Sequence, residues 1–355
     1  MRFMNLVLST LVWKNVQKSP FIPLFQRGKL NSPFIKGGKG GFNNAVNAYY
    51  HTGHQRAISL SSKVFLGIFF AIFLFFSSSN SSATPVFDAN KAYEYLKKQC
   101  AFGPRFPGSV AHKKTRDYLA SELKKYANSV ILQDFTYKDK RKELKLTNII
   151  AIFGPNVKKR IILCAHWDTR PFADKDPDPG LRNTPISGAN DGASGVAVLL
   201  ELAKAFHKEK PSVRIIMVLF DGEDYGKNID DMFLGSKHFA QNIRTEWTPD
   251  YGILLDMIGD RNLDIYIEPI SLQNAPEVVN KVWKLAGDLK LKGIYNKIGP
   301  AVMDDHVQLI EKGIPCIDII DFNYPYWHTL GDTPDKCSPS SLGVIGRLLI
   351  ELVYQ

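Results

Sequence analysis

Three acidic residues close an apolar run in the segment Ile215–Tyr225, IIMVLFDGEDY. Asp221, Glu223 and Asp224 come directly after Ile215–Phe220, with Gly222 among them. Carboxylates this close repel one another unless a cation or a proton relieves them, so the trio suits metal ligation or proton transfer. Polar residues end other apolar runs in the same way. His166 and Asp168 follow the run from Arg160 as His-x-Asp. Residues two apart in extended chain point the same way, so Asp168 could orient the His166 ring. Asp191 stands among small residues in Gly188–Gly195, GANDGASG, where the backbone can crowd a site. Asp256 interrupts Ile253–Ile258, and a carboxylate in an apolar strand needs a partner. Asp304, Asp305 and His306 open a helical segment, and Trp327, His328 and Thr329 follow Tyr324-Pro325-Tyr326. Each item alone has a plainer reading: a helix cap, a packed histidine, a polar loop. Together they form a set of nitrogen and oxygen donors without cysteine, which suits zinc in an open, catalytic arrangement. Glu223, next to Asp224, is placed as general base or acid.

The elements that must carry these residues alternate. Ile215–Phe220 reads as a strand buried on both faces, with its acids just past the carboxyl end, where open α/β sheets build their sites. Before it lie helices at 88–99, with Asp88 as N-cap, and at 109–126, then strands at 129–137, 148–153 and 160–165. A long Asp- and Pro-rich loop spans 167–188, and loops of that length in compact domains are often functional. Helices are expected at 193–207, near 235–241, and at 276–289, 304–311 and 340–353; strands at 251–258, 263–268 and 314–320. This order predicts one α/β domain, a doubly wound, mainly parallel mixed sheet flanked by helices.

Composition divides the chain. The first 83 residues hold nine Lys/Arg and no Asp or Glu; of the 45 basic residues 36 remain in 84–355, against 35 acidic ones. The net charge of +10 is thus almost wholly N-terminal, and the body has no nucleic-acid footprint. Residues 1–62 show no core pattern and read as an unstructured or wrongly started extension. In 63–83, Lys63 precedes the apolar run Val64–Phe76, and Ser81-Ser82-Ala83 follows. That order is a secretory signal with cleavage after Ala83, the alternative being an uncleaved anchor. Its 13 apolar residues are short for a span. The expected catalytic domain is 84–355, exported, monomeric, and in contact with membrane only through an uncleaved segment. Cys164 and Cys316 lie in apolar runs as small core residues; Cys100 and Cys337 lie in loop-like context and are open to pairing.

Five motifs in order, His166-x-Asp168, Gly188–Ala193, Asp221–Asp224, Leu254–Gly259 and Trp327–Thr329, resemble the zinc aminopeptidase fold that also contains the glutaminyl cyclases. The resemblance covers roughly 90–353. On its cyclase branch it implies one zinc on Asp191, Asp224 and His328, Glu223 as proton shuttle, and Asp256 and Asp304 as hydrogen-bonding acids near the substrate. The substrate is then a peptide or protein with N-terminal Gln. On the aminopeptidase branch it implies two zincs, with Asp191 bridging and His166 and Asp256 completing the second site. Asp304-Asp305-His306, Trp327 before His328, and the spacing between them favour the cyclase, with Trp327, Tyr324 and Met303 lining the pocket. The chain departs from animal cyclases in having Asp224 for Glu, an apolar Met303, and no Trp soon after Asp224. A third reading, a non-catalytic ectodomain, predicts lost ligands, and none is lost.

Overall fold

The structure is a computed structural model that describes residues 84–138 and 142–355. The expectations for 1–62 and for the 63–83 segment lie outside those residues. Two helices come first, α1 (Ala89–Cys100) and α2 (Val110–Lys124), capped by the side chains of Asp88 and Ser109. Strands β1 (Ser129–Lys138), β2 (Glu143–Phe153) and β3 (Arg160–His166) follow, then α3 (Ala193–Lys208) and β4 (Arg214–Phe220). The chain continues through α4 (Leu234–Gln241), β5 (Tyr251–Asp256), β6 (Ile265–Ile267), α5 (Pro269–Asn274), α6 (Pro276–Asp288) and β7 (Ile294–Ile298). It ends with α7 (Asp305–Ile310), β8 (Cys316–Ile320) and α8 (Pro339–Tyr354).

The main sheet has the order β1-β2-β4-β3-β5-β8. Its β4, β3, β5 and β8 are parallel, and β2 joins β4 antiparallel, as β1 joins β2. The continuous apolar runs of the parallel strands are needed because both faces are covered. Ile161, Leu163 and Ala165 of β3 enter the core that α1, α3, α6 and α8 share, while Ile162 and Cys164 enter the one under α4 and α7. In β4, Ile215, Met217 and Leu219 alternate likewise with Ile216, Val218 and Phe220. Helix α3 lies unusually close to the sheet. A Cβ on Gly195 would stand 2.4 Å from the Leu255 carbonyl oxygen and 2.9 Å from the Ala165 Cβ. That approach sets the start of α3 against the carboxyl ends of β3 and β5.

Three expectations are corrected. Strand β5 stops at Asp256, because Met257 turns into the left-handed region (φ 47°) and Ser194 Oγ and Asn190 Oδ1 take the next two backbone N–H groups. Asp256 therefore ends its strand instead of interrupting it. Strand β2 begins at Glu143, earlier than expected, pairing residue by residue with β1. Strand β7 and helix α5 were not anticipated; β7 pairs with β6 in a separate two-stranded sheet. All four cysteines are free thiols. Among the described residues no helix is long and apolar enough to cross a membrane.

Candidate metal centre and active site

Parallel strands bring their carboxyl ends to one edge of the sheet, and each delivers a donor there. His166 is the last residue of β3, Asp256 the last of β5, and the Asp221–Asp224 turn follows β4. Asp191 lies just before α3, and His328 in the loop after β8. His166 Nε2 is 3.2 Å from Asp191 Oδ1 and 3.3 Å from Asp256 Oδ1. His328 Nε2 is 3.4 Å from Asp224 Oδ1 and 3.7 Å from Asp191 Oδ2. Asp191 thus divides its two oxygens between two histidines. Two donor groups result, His166–Asp191–Asp256 and Asp191–Asp224–His328, all buried except Asp256, which is partly buried. Asp191 Oδ2 and Asp224 Oδ2 are buried without a hydrogen-bond partner. Orphaned carboxylate oxygens beside imidazole nitrogens fit a small divalent cation, and this donor set fits zinc.

The charges point the same way. Burial opposes a charge on His166, but Asp168, Asp191, Asp256 and Glu223 outweigh it and raise the ring well above the usual histidine range. Burial likewise opposes a charge on His328, yet Asp224, Asp174 and Asp191 push it up to about 9. Glu223 is buried, and its carboxyl is raised well above the ordinary range by that burial and then by Asp224. Asp304 is raised by burial and by Asp256 and Asp305. A carboxyl poised to exchange a proton is what general acid–base catalysis requires.

Several residues hold the donors in place, and sequence reasoning had not singled out most of them. Asp174 Oδ1 lies 3.2 Å from His328 Nδ1, on the far side of the ring from Asp224. Arg170 grips Asp174 with Nε and Nη2, both at 2.9 Å, and reaches Asp224 Oδ1 with Nη1 at 2.6 Å. Arg170, Asp174, His328 and Asp224 therefore close a ring of charges around one donor group. Nothing in the sequence pairs these loop positions, although the length of the 167–188 loop marked it as functional. His328 itself has φ 54°, a conformation costly for a residue with a Cβ, and its carbonyl is held by the Lys175 N–H. Asp332 accepts the N–H groups of Asn190 and Asp191 and the hydroxyl of Tyr324.

Three predicted residues take places different from those expected. Asp168 stands 3.7 Å from His166 Nδ1, too far for a hydrogen bond, and accepts the Glu223 and Asp224 N–H groups instead. It orients the acidic turn more than the ring. Asp221 turns away from the donors to His112 Nε2, 2.7 Å away, whose ring stacks on Trp167. The plainer reading of Asp191 as a helix cap does not hold, since that position is Gly192 and Asp191 belongs to both donor groups. Tyr324 is buried with its hydroxyl on Asp332 and so supports the site from beneath. Trp327 is half-buried and stacks on His328 with ring centres 4.0 Å apart, and Met303 is exposed beside Asp304. Asp304 caps α7 through the Asp305 N–H.

Comparison with known proteins gives a consistent result. The model of peptidase family M28 matches residues 148–353. The fold is similar to that of a zinc-dependent exopeptidase of Parabacteroides distasonis, 40% identical, over 77% of this chain and 100% of that one, with TM-score 0.75. It is as similar to a glutaminyl cyclase of Tannerella forsythia, 39% identical, over 76% of this chain and 99% of that one, with TM-score 0.73. The glutaminyl-peptide cyclotransferase of Bos taurus is 22% identical over 71% of this chain and 78% of its own. The motifs at the strand ends, the family model and these likenesses agree: the chain belongs to peptidase family M28, on the branch that holds the glutaminyl cyclases.

Proposed function

We propose that the protein is a glutaminyl-peptide cyclotransferase, converting the N-terminal Gln of a peptide or protein to pyroglutamate with release of ammonia. Zinc, held by Asp191, Asp224 and His328, would supply Lewis-acid polarisation of the Gln side-chain carbonyl. Glu223 takes a proton from the α-amine as its nitrogen bonds to the carbonyl carbon, and returns it to the departing ammonia. One C–N bond forms and one breaks, and no water is consumed. Asp256 and Asp304, both facing this edge, receive hydrogen bonds from the substrate amine and amide. Trp327 and Met303 wall the pocket and exclude water. The observation that carries the reading is Glu223, a buried acid directly beside Asp224 of the Asp191–Asp224–His328 donor group. The likeness to the Tannerella forsythia cyclase supports the same choice.

A second reading, a two-zinc aminopeptidase, is favoured by one observation: the His166–Asp191–Asp256 group is complete as well. In that case Glu223 would activate water. The two readings separate on a Gln-initiated and a Leu-initiated peptide analysed by mass. Loss of ammonia from the first, with the second intact, establishes the cyclase. Removal of the first residue from either, with two zincs per chain, establishes the peptidase.

Residues 63–83 would then serve as an export signal that frees 84–355 as the catalytic domain. The N-terminal sequence of the exported protein tests it: a start at Thr84 supports cleavage, and a retained Val64–Phe76 run means an anchor.

A further inference from the structure

Arg105 lies in the loop between α1 and α2 and has no exposed surface. Its backbone N–H donates to Thr169 Oγ1 at 2.8 Å. Its guanidinium donates from Nε to the Trp167 carbonyl at 3.1 Å, from Nη1 to Ser187 at 2.8 Å and from Nη2 to Gly188 at 2.8 Å. None of these four bonds ends on a carboxylate. The acceptors stand at the two ends of the long loop that leads from His166 to Asp191, so one side chain ties that loop at its neck. The ends are in close contact there. Gly188 has φ 63°, and a Cβ on it would lie 2.3 Å from Thr169 Cγ2.

A buried charge is expensive, and a guanidinium is the side chain whose rigid, planar fork serves three carbonyls in fixed directions. Burial pulls the guanidinium below its usual range, and Asp332, Asp168 and Asp191 offset part of that loss. Asp332 also takes the N–H groups of Asn190 and Asp191. The turn that carries Asp191 is thus held through carbonyls by Arg105 and through N–H groups by Asp332.

We propose that Arg105 is a positioning residue for Asp191, a buried cation that touches neither substrate nor metal and fixes the turn from which the shared carboxylate projects. The inference rests on Asp191 being a metal ligand. A ligand displaced by a fraction of an ångström weakens the metal and misplaces the reacting groups.

The test compares the full chain with its Arg105→Lys variant, which keeps the charge and loses the fork. Zinc affinity is measured by chelator competition, ligand geometry by the visible spectrum of the cobalt-substituted protein, and kcat and KM well below the melting temperature. The expected result is zinc binding weaker by about 10–100-fold and a changed cobalt spectrum. At saturating zinc, kcat should fall about tenfold or more with KM within about threefold. Zinc affinity and cobalt spectrum equal to the parent, with only a lower melting temperature, would make Arg105 a purely structural residue and overturn the proposal. If Arg105→Lys does not fold, Thr169→Ala removes one tie of the same neck. It should weaken zinc to a lesser degree, with Thr169→Ser restoring it; unchanged affinity in Thr169→Ala also overturns the proposal. Asp191→Ala separates the two layers of argument. Zinc retained there removes the ligand reading itself, whereas zinc lost there but undiminished in Arg105→Lys removes only the role of Arg105.

Discussion

At the level of single residues, the proposed mechanism divides the labour between Glu223, for proton transfer, and its neighbour Asp224, for metal binding. Glu223→Gln should fold and keep its zinc while losing about 10²–10⁴-fold in kcat. Turnover near normal would take Glu223 out of the mechanism. His328→Ala should lose zinc from its group, and metal analysis showing the parent content would contradict the assignment. Asp174→Asn should leave the fold intact and weaken zinc about tenfold or more, because the far nitrogen of His328 loses its carboxylate; affinity equal to the parent would show that the 3.2 Å approach has no bearing on the metal. The donors were legible in the sequence because each stands where a polar residue needs a reason: His166 and Asp224 past apolar runs, Asp256 inside one, Asp191 among small residues and His328 in an aromatic loop. Asp174, Arg170, Arg105 and Asp332 were not, since their partners lie across loops whose contacts no local pattern encodes. Asp221 shows the limit most plainly. It has the same side chain as Asp224 three positions on, yet it bonds His112 beneath the turn while Asp224 meets His328.

At the level of elements, the site depends on how tightly α3 lies against β3 and β5. Gly195→Ala forces a methyl group against the Leu255 carbonyl oxygen, and overpacking of that kind costs about 1–3 kcal/mol. The variant should melt at a lower temperature and also be slower per folded molecule, because α3 begins just after Asp191. A normal melting curve would mean that helix and sheet can part without cost. The parallel strands could be read because strands buried on both faces leave long apolar runs, and helix α1 because Asp88 announces its start. Strand β7 could not. Ile294-Tyr295-Asn296-Lys297-Ile298 is largely exposed and pairs only with β6, so burial left no alternation to find. The end of β5 was hidden for the opposite reason: Met257 and Ile258 are apolar and buried, and only the left-handed turn at Met257 ends the strand.

At the level of the whole molecule, the sheet gathers at least six acidic side chains and two histidines at one edge, which the fold tolerates only if their charge is answered. Removal of zinc with a chelator should therefore lower the melting temperature, and zinc at a hundredfold excess over Kd should restore it by adding about 2.7 kcal/mol of stability. A melting temperature indifferent to zinc would place the cation elsewhere or nowhere. The α/β class was legible from the alternation of elements alone, whereas the two-sided division of the core emerges only from strand order. The stacking of Trp327 on His328 has one further consequence. Trp167, Trp247 and Trp283 are buried, and among the described tryptophans Trp327 is the one that stacks on His328. A protonated imidazole quenches indole emission strongly, and a metal-bound one does so differently. Intrinsic fluorescence should thus change as the centre fills, giving the protein a built-in optical gauge of its own loading, and Trp327→Phe should abolish the signal.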